Sequence, residues 1–192
     1  MKRIVVTAAA ALLVSASAPA LAQSSNEGSS GQAMGTNAMD TDQAAMPAPQ
    51  NVKTATNFVP MAAVSNSFEV ETSNLALIKS QDGNVRNFAQ TMVDDHSTAG
   101  MKMKQAVQES DTELSVPTGL DARHQEMLNQ LSAADDSQFD AMYMDMQGQA
   151  HEEAVALFTA YSENGEDGPV KTFAANTLPT LKQHLSMVKK MR

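Results

Sequence analysis

The feature that most constrains this chain is a repeat of apolar residues at every third or fourth position across residues 57–192. This spacing is the period of one face of an α-helix, and no stretch alternates apolar and polar residues as a half-buried strand does. The pattern therefore predicts an all-α domain. All eight aromatic residues of the chain lie in this part, so it holds the hydrophobic core, and its length fits one domain.

Turn and capping residues divide this part into four long helices and one short helix. The predicted helices cover about residues 57–79, 84–110, 120–132, 136–163 and 169–191. Tight turns between most of the long helices predict an up-down-up-down bundle. The short helix is only about 20 Å long, so we expect it not to span the length of the bundle and not to change this order. Pro179 lies inside the last helix, and we expect it to kink that helix or to divide it into two.

The first 56 residues have a different composition. A basic start, an Ala-rich apolar run and a small-residue site before Gln23 are typical of a cleavable secretory signal over residues 1–22. Residues 23–56 are rich in Ser, Gly, Asn, Gln and Ala, with Val52 as their only branched aliphatic residue, which predicts a disordered low-complexity linker. We therefore expect an exported, periplasmic protein with no membrane-spanning segment after signal cleavage.

Charge and cysteine content narrow the possible partners. Removal of Lys2 and Arg3 with the signal changes the formal net charge from −9 to −11, so no basic surface is expected for binding nucleic acid. The chain has no cysteine, which excludes a disulfide, a lipid attachment point and a thiolate metal site. The sequence identifies no protein partner.

Each long helix carries one polar residue in register with its buried stripe: Glu69, His96, His151 and His184. Counted from the predicted hairpin turns, which share one end of an up-down-up-down bundle, all four lie about 16 to 24 Å from that end. A carboxylate and three imidazoles at one level are suited to a single zinc, manganese, iron or copper ion. The alternative is a hydrogen-bonded packing network without metal.

A second polar contact is predicted on the fourth of these five helices. Asp140 and Tyr143 lie on the same stripe as His151, but Asp140 is about 16 Å of helix from that histidine. We therefore expect Asp140 and Tyr143 to form a separate polar contact lower in the bundle.

Three segments together resemble a known family: "NFVPMAAVSNSFEVETSNLALIKSQDGNVRNFAQTMVDDH", "FDAMYMDMQGQAHEEAVALF" and "LPTLKQHLSM". They are similar to the secreted bacterial family called domain of unknown function 4142, which is grouped with ferritin-like four-helix proteins. The resemblance implies a ferritin-like bundle and an exported protein, and it implies no established reaction. The positions that match the motifs of the family are Glu69, His96, Asp140, Tyr143, His151 and His184.

Other chemistries have less support. Di-iron proteins of the ferritin-like group take Glu-x-x-His from two helices, and this chain has no Glu-x-x-His, so a mononuclear site is expected. Asp94 and Asp95 precede His96 but point about 100° apart on a helix; Asp94 is expected in solvent, and the position of Asp95 is left open. No motif supplies a nucleophile or a phosphate-binding loop, so an enzyme is the third choice.

Two functions of different class remain. The first is an exported metal-binding bundle, linked to the response to metal or oxidative stress. The second is a non-catalytic structural or partner-binding bundle in which the Glu/His layer only specifies packing.

Overall fold

The structure, a computed structural model, describes residues 47–110 and 113–192. The predicted signal over residues 1–22 and most of the predicted linker lie outside these described residues. A short 3-10 turn at Pro49–Asn51 precedes five α-helices: α1 (Ala55–Lys79), α2 (Gly83–Gln108), α3 (Ala122–Ala133), α4 (Asp136–Asn164) and α5 (Pro169–Met191). The described residues contain no strand, so the all-α class and the set of one short and four long helices are confirmed.

Ordered packing begins slightly before the predicted domain boundary at residue 57. Helix α1 starts at Ala55, and Val52 is fully buried within the hydrophobic core. The carboxylate of Glu166, in the turn between α4 and α5, accepts a hydrogen bond from the backbone N–H of Ala55 at 2.9 Å. The one branched aliphatic residue of the predicted linker therefore belongs to the folded domain.

Local capping residues explain where two of the long helices begin. At the start of α2 the Asp82 carboxylate accepts hydrogen bonds from the backbone N–H groups of Asn84 and Val85, at 2.7 and 3.2 Å. Helix α5 begins at Pro169. Proline has no backbone N–H, and at the first position of a helix an N–H would have no intrahelical acceptor. Gly168 precedes Pro169 and has a φ of 149°, a backbone conformation that residues other than glycine rarely adopt.

The Asp82 cap allows a test of this part of the fold. We expect Asp82→Ala to lower the free energy of unfolding by about 1 kcal/mol, because two N–H groups of α2 lose their acceptor. Asp135 holds the equivalent position before α4 but makes no side-chain capping hydrogen bond, so Asp135→Ala is the matched control and should cost less. Urea denaturation of both variants measures the difference, and equal losses would contradict the assignment.

Pro179 lies within one continuous helix, α5, so the alternative of two separate helices is wrong. Leu181 and His184, which follow Pro179, are buried against the other helices. Packing of this buried face stabilises the helix across the position where proline removes a backbone hydrogen bond.

Two hydrophobic clusters occupy the two ends of the bundle. The first core cluster includes Phe58 of α1, Met103 of α2, Phe158 of α4 and Phe173 of α5. The second core cluster includes Ala76, Phe88, Phe139 and Val188 of the same four helices, together with Leu131 of α3. The first cluster thus joins the start of α1 and α5 to the end of α2 and α4, and the second cluster joins the opposite ends.

This arrangement corrects the predicted order of helix directions. Helices α2 and α4 run parallel, so the order is up-down-down-up and not up-down-up-down. Helix α1 packs against α2 and α4, and α5 packs against the same two helices, so every neighbouring pair of long helices is antiparallel. The α1–α2 turn and the α4–α5 turn therefore lie at opposite ends of the bundle.

The connection between α2 and α4 runs back along the bundle. Leu114 and Val116 pack on the first core cluster, the His124 ring lies 5.0 Å from the Phe68 ring, and Leu131 is in the second core cluster. The connection spans the bundle because it contains non-helical chain besides the short helix, and non-helical chain extends up to about 3.3 Å per residue against 1.5 Å in a helix. One such crossover is characteristic of ferritin-like bundles, so the ferritin-like class is confirmed.

The described surface has few large exposed apolar side chains, and Ile78 and Met101 are the examples. Within residues 47–110 and 113–192, no helix combines the length and the apolar character that crossing a membrane requires.

Candidate metal centre

In the structure the three histidines of the predicted polar layer lie around one point, and Glu69 contacts two of them. Glu69, His96, His151 and His184 are each at most 4 % exposed and lie between the two core clusters on all four long helices. Each is about 12 to 15 residues, or about 18 to 23 Å of helix, from the end of the bundle that holds the first core cluster. The four residues therefore lie at one height in the bundle, although the order of helix directions differs from the prediction.

The three imidazoles form a nearly regular triangle. The ring centroids of His96, His151 and His184 are 5.3 to 5.5 Å apart. One ring nitrogen from each histidine lies within 4.8 Å of the others, close enough for the three to share one metal ion. Three different helices, α2, α4 and α5, supply these rings.

The carboxylate of Glu69 contacts two of the three imidazoles. Its Oε2 atom lies 2.8 Å from His96 Nε2 and 3.2 Å from His151 Nε2, and its Oε1 atom accepts a hydrogen bond from Ser65 Oγ at 3.1 Å. Helix α1 packs on α2 and α4, which carry His96 and His151, and is diagonal to α5. The bundle geometry therefore explains why the close contacts of Glu69 are with these two rings.

Each imidazole uses its other nitrogen to contact an oxygen at the edge of the layer. His151 Nδ1 lies 2.8 Å from the backbone oxygen of Gln147, and His96 Nδ1 lies 3.2 Å from Asn66 Oδ1. His184 differs, because its Nε2 atom lies 2.9 Å from Asp95 Oδ2. These oxygens only accept, so each contact places the ring hydrogen on the outer nitrogen and leaves the inner nitrogen of a neutral ring with a lone pair.

The inner atoms of the layer lack hydrogen-bond partners. Among the described residues, six buried side-chain nitrogen or oxygen atoms make no hydrogen bond. Four of the six are in the layer: Glu69 Oε2, His96 Nε2, His151 Nε2 and His184 Nδ1. Glu69 Oε2 is close to two imidazoles, but the orientation is not that of a hydrogen bond. Each long helix therefore contributes one unpartnered atom to the same small region.

The charge states of Glu69 and His184 suit a bound cation. Burial by itself would raise the pKa of Glu69, but the imidazoles of His151 and His96 outweigh it and lower this pKa to about 2. Burial opposes protonation of His96, yet the Glu69 carboxylate raises the pKa of this ring above its ordinary value. Burial dominates at His184 and lowers its pKa to about 4, against the effect of Asp95. At neutral pH Glu69 is ionised and His184 is neutral, and both forms bind metal ions. The raised pKa of His96 favours its protonated form, so this ring must release a proton when it binds an ion.

A small cavity adjoins the layer on the side of the first core cluster. Its volume is about 20 Å³, and its lining includes Glu69, His96, Met103 and Leu181. This space is large enough for one water molecule. The cavity lies on the Glu69 and His96 side of the layer, and neither His151 nor His184 lines it.

The second polar contact differs in part from its prediction. The Tyr143 hydroxyl is buried and hydrogen-bonds Ser73 Oγ of α1 at 2.9 Å, while Asp140 Oδ1 is buried without a partner among the described residues. Gln147 Nε2 donates a hydrogen bond to Thr72 Oγ1 at 3.0 Å. The polar contact beside Tyr143 is thus made across the α1–α4 interface and does not join Tyr143 to Asp140.

Sequence reasoning missed three partners of the layer: Asp95, Asn66 and the backbone oxygen of Gln147. Asn66 lies three residues before Glu69, which is the spacing of neighbours on one helix face, and this signal was available. The sequence gives no such signal for Asp95, because its carboxylate contacts a histidine on another helix. The exposed Asp94 accepts a hydrogen bond from Gln90, as expected for a side chain in solvent.

The fold and the layer define an all-α four-helix protein with one long crossover and three buried histidines around one point. The chain belongs to the family described as "Domain of unknown function (DUF4142)", which matches residues 40–191, and the predicted resemblance is confirmed. No curated protein matches the chain. A solved structure described as "CopM in the Cu(II)-bound form" has a similar fold, with a TM-score of 0.61 and 18 % sequence identity over 73 % of this chain and 97 % of that one.

Proposed function

We propose that this protein is exported and binds one transition-metal ion in the core of its bundle. The proposed ligands are Glu69 Oε2, His96 Nε2, His151 Nε2 and His184 Nδ1. The observation that carries the proposal is that these four buried atoms, one from each long helix, lack hydrogen-bond partners. Export is inferred from the signal-like features of residues 1–22.

A packing network alone explains the 2.8 Å contact of Glu69 with His96 but leaves the inner nitrogens of His151 and His184 without hydrogen-bond partners. Buried polar atoms are nearly always hydrogen-bonded, because each unpartnered atom destabilises the folded state by about 1–3 kcal/mol. In the layer the outer nitrogen of each imidazole has its acceptor, and the inner atoms are the ones without partners. A cation bound among the three inner nitrogens satisfies them at once, and its charge complements the ionised Glu69 carboxylate, which lies against two of these imidazoles.

The donor set favours copper or zinc. Imidazole nitrogens suit Zn, Cu and Fe, and for a fixed set of nitrogen and oxygen ligands Cu(II) binds most tightly among the common divalent ions. The protein with a similar fold, CopM, is described in a Cu(II)-bound form. We therefore infer Cu(II) as the first ion to test and Zn(II) as the second. With one carboxylate and three imidazoles, the layer is suited to one ion and not to two.

Metal content of the exported protein tests the proposal. We expect protein purified from the periplasm without a metal-affinity tag to carry close to one transition-metal ion per chain, measured by elemental analysis. We also expect the metal-free protein to unfold at a higher temperature after addition of Cu(II) or Zn(II), because the folded state alone holds the assembled layer. Less than about a tenth of an equivalent of metal, with no thermal shift for Zn, Cu, Mn or Fe, would overturn the proposal in favour of a packing network.

A further inference from the structure

Asp95 makes a contact that distinguishes His184 from the other two histidines of the layer. The Asp95 carboxylate extends from α2 to α5, where its Oδ2 atom lies 2.9 Å from His184 Nε2. The His184 side chain is 2 % exposed, whereas that of Asp95 is 47 % exposed. The equivalent contacts of His96 and His151 are with neutral oxygens, those of Asn66 and of the Gln147 backbone. His184 is thus the one ring of the layer whose outer partner is a charged carboxylate.

This contact determines which nitrogen of His184 faces the layer. An ionised carboxylate only accepts hydrogen bonds, so Nε2 must carry the ring hydrogen. Nδ1 of the neutral ring then keeps the lone pair, and Nδ1 is the buried atom without a partner. His96 and His151 present Nε2 instead, because their Nδ1 atoms have the outer acceptors. The layer therefore offers two Nε2 atoms and one Nδ1 atom.

We propose that Asp95 is a positioning residue for the metal site, which holds His184 in the tautomer and ring orientation that present Nδ1 to the ion. This inference rests on the proposed function, since it concerns the same site. A carboxylate on the outer nitrogen of a metal-binding imidazole fixes the ring and raises its basicity. Asp95 does so from the wall of a groove of about 320 Å³ between α2 and α5, outside the buried layer itself.

The first test uses the metal-free protein and measures the tautomers of the imidazoles by ¹⁵N NMR. We expect wild-type His184 to carry its hydrogen on Nε2. Asp95→Ala removes the acceptor, and we expect His184 to become a mixture of both tautomers, with His151 unchanged. Asp95→Asn keeps an acceptor oxygen and should restore the wild-type tautomer. A His184 ring that carries its hydrogen on Nδ1 in the wild type, or that is unaffected by Asp95→Ala, would overturn the inference.

The second test measures Cu(II) affinity by competition with a chelator. We expect Asp95→Ala to weaken binding about tenfold to a hundredfold, the usual effect of losing such an outer partner, and Asp95→Asn to weaken it less. Asp94→Ala is the matched control, because Asp94 is the adjacent exposed carboxylate and its side chain accepts a hydrogen bond from Gln90, on the same helix. The Cu(II) affinity of this variant should equal that of the wild type.

The two tests separate this inference from the proposed function. If the wild type binds no metal, the proposed function fails, while the tautomer measurement still decides whether Asp95 positions His184. If the wild type binds Cu(II) and Asp95→Ala binds it equally well, the proposed function stands and the role of Asp95 is wrong. Complete loss of binding in Asp95→Ala with an unchanged His184 tautomer would make Asp95 a direct ligand, which also contradicts the inference.

Discussion

Replacing His151 by Asn is expected to remove the metal-dependent stabilisation of the protein while leaving the metal-free protein folded. The asparagine amide nitrogen corresponds in position to Nδ1 of the imidazole, so it can still donate to the Gln147 backbone oxygen. The variant has no atom in place of Nε2, the inner atom that lies 3.2 Å from Glu69 Oε2. His151→Asn therefore deletes the proposed ligand and keeps the outer contact.

The expected size of this effect follows from mass action. Loss of an outer partner weakens metal binding about tenfold to a hundredfold, and we expect loss of a direct ligand to weaken it by at least about a hundredfold. At a metal concentration a hundred times the wild-type dissociation constant, a hundredfold loss removes most of the roughly 2.7 kcal/mol that the ion adds to the free energy of unfolding. Thermal unfolding with and without Cu(II) measures this difference.

Two further variants complete this experiment. His184→Gln should have the same effect, because the glutamine amide nitrogen corresponds to Nε2 and retains the contact with Asp95 while Nδ1 is lost. His124→Asn is the control, since His124 contacts Asp121 in the crossover and lies outside the layer. Full metal-dependent stabilisation in His151→Asn and His184→Gln would rule out these histidines as ligands.

Phe58→Ala is expected to lower the free energy of unfolding by about 3–5 kcal/mol, with or without metal, the usual cost of deleting a buried phenylalanine. The Phe58 side chain is fully buried in the first core cluster. Its ring stacks on Tyr161 at 4.2 Å and packs edge-on against Phe158 at 4.9 Å. Residues that lie about 11 positions apart on a helix are about 16 Å apart, so Phe58 and Glu69 should contribute independently.

Denaturant unfolding of the metal-free and metal-loaded proteins measures this effect. Ile78→Ala is the matched control on the same helix, because Ile78 is 77 % exposed, and its substitution should change stability by less than about 0.5 kcal/mol. A loss below about 1 kcal/mol for Phe58→Ala would contradict the assignment of Phe58 to a closely packed core. A loss that appears only in the metal-loaded protein would contradict the independence of the core cluster and the layer.

The four polar residues lie at one level although the predicted order of helix directions is wrong. The prediction puts both hairpin turns at one end of the bundle, whereas the structure has them at opposite ends. The four residues are still level, because Glu69 and His96, which are the two counted from the α1–α2 turn, lie near the middle of helices of 25 and 26 residues. For a residue near the middle of a helix, the distance to either end is similar, so reversing a helix hardly changes its level.

Other features of the site depend on neighbours that are remote in sequence. Glu69 has close contacts with His96 and His151 because α1 packs on α2 and α4 and is diagonal to α5. Tyr143 finds its partner, Ser73, on another helix and not at Asp140 on its own. The apolar period identifies the inward face of each helix, but it does not say which helix lies opposite.

The sequence by itself determined the all-α class, the bounds of the five helices to within about two residues, and the four inward-facing polar residues, because helix periodicity, caps and turns act over a few neighbouring residues. Only the tertiary structure decided the directions of the helices, the contact of Asp95 with His184 and the nitrogen that each histidine turns inward. These depend on the path of the crossover and on contacts between helices that are far apart in sequence. Packing of the whole bundle, and not local conformational preference, selects among the possible helix directions and histidine orientations.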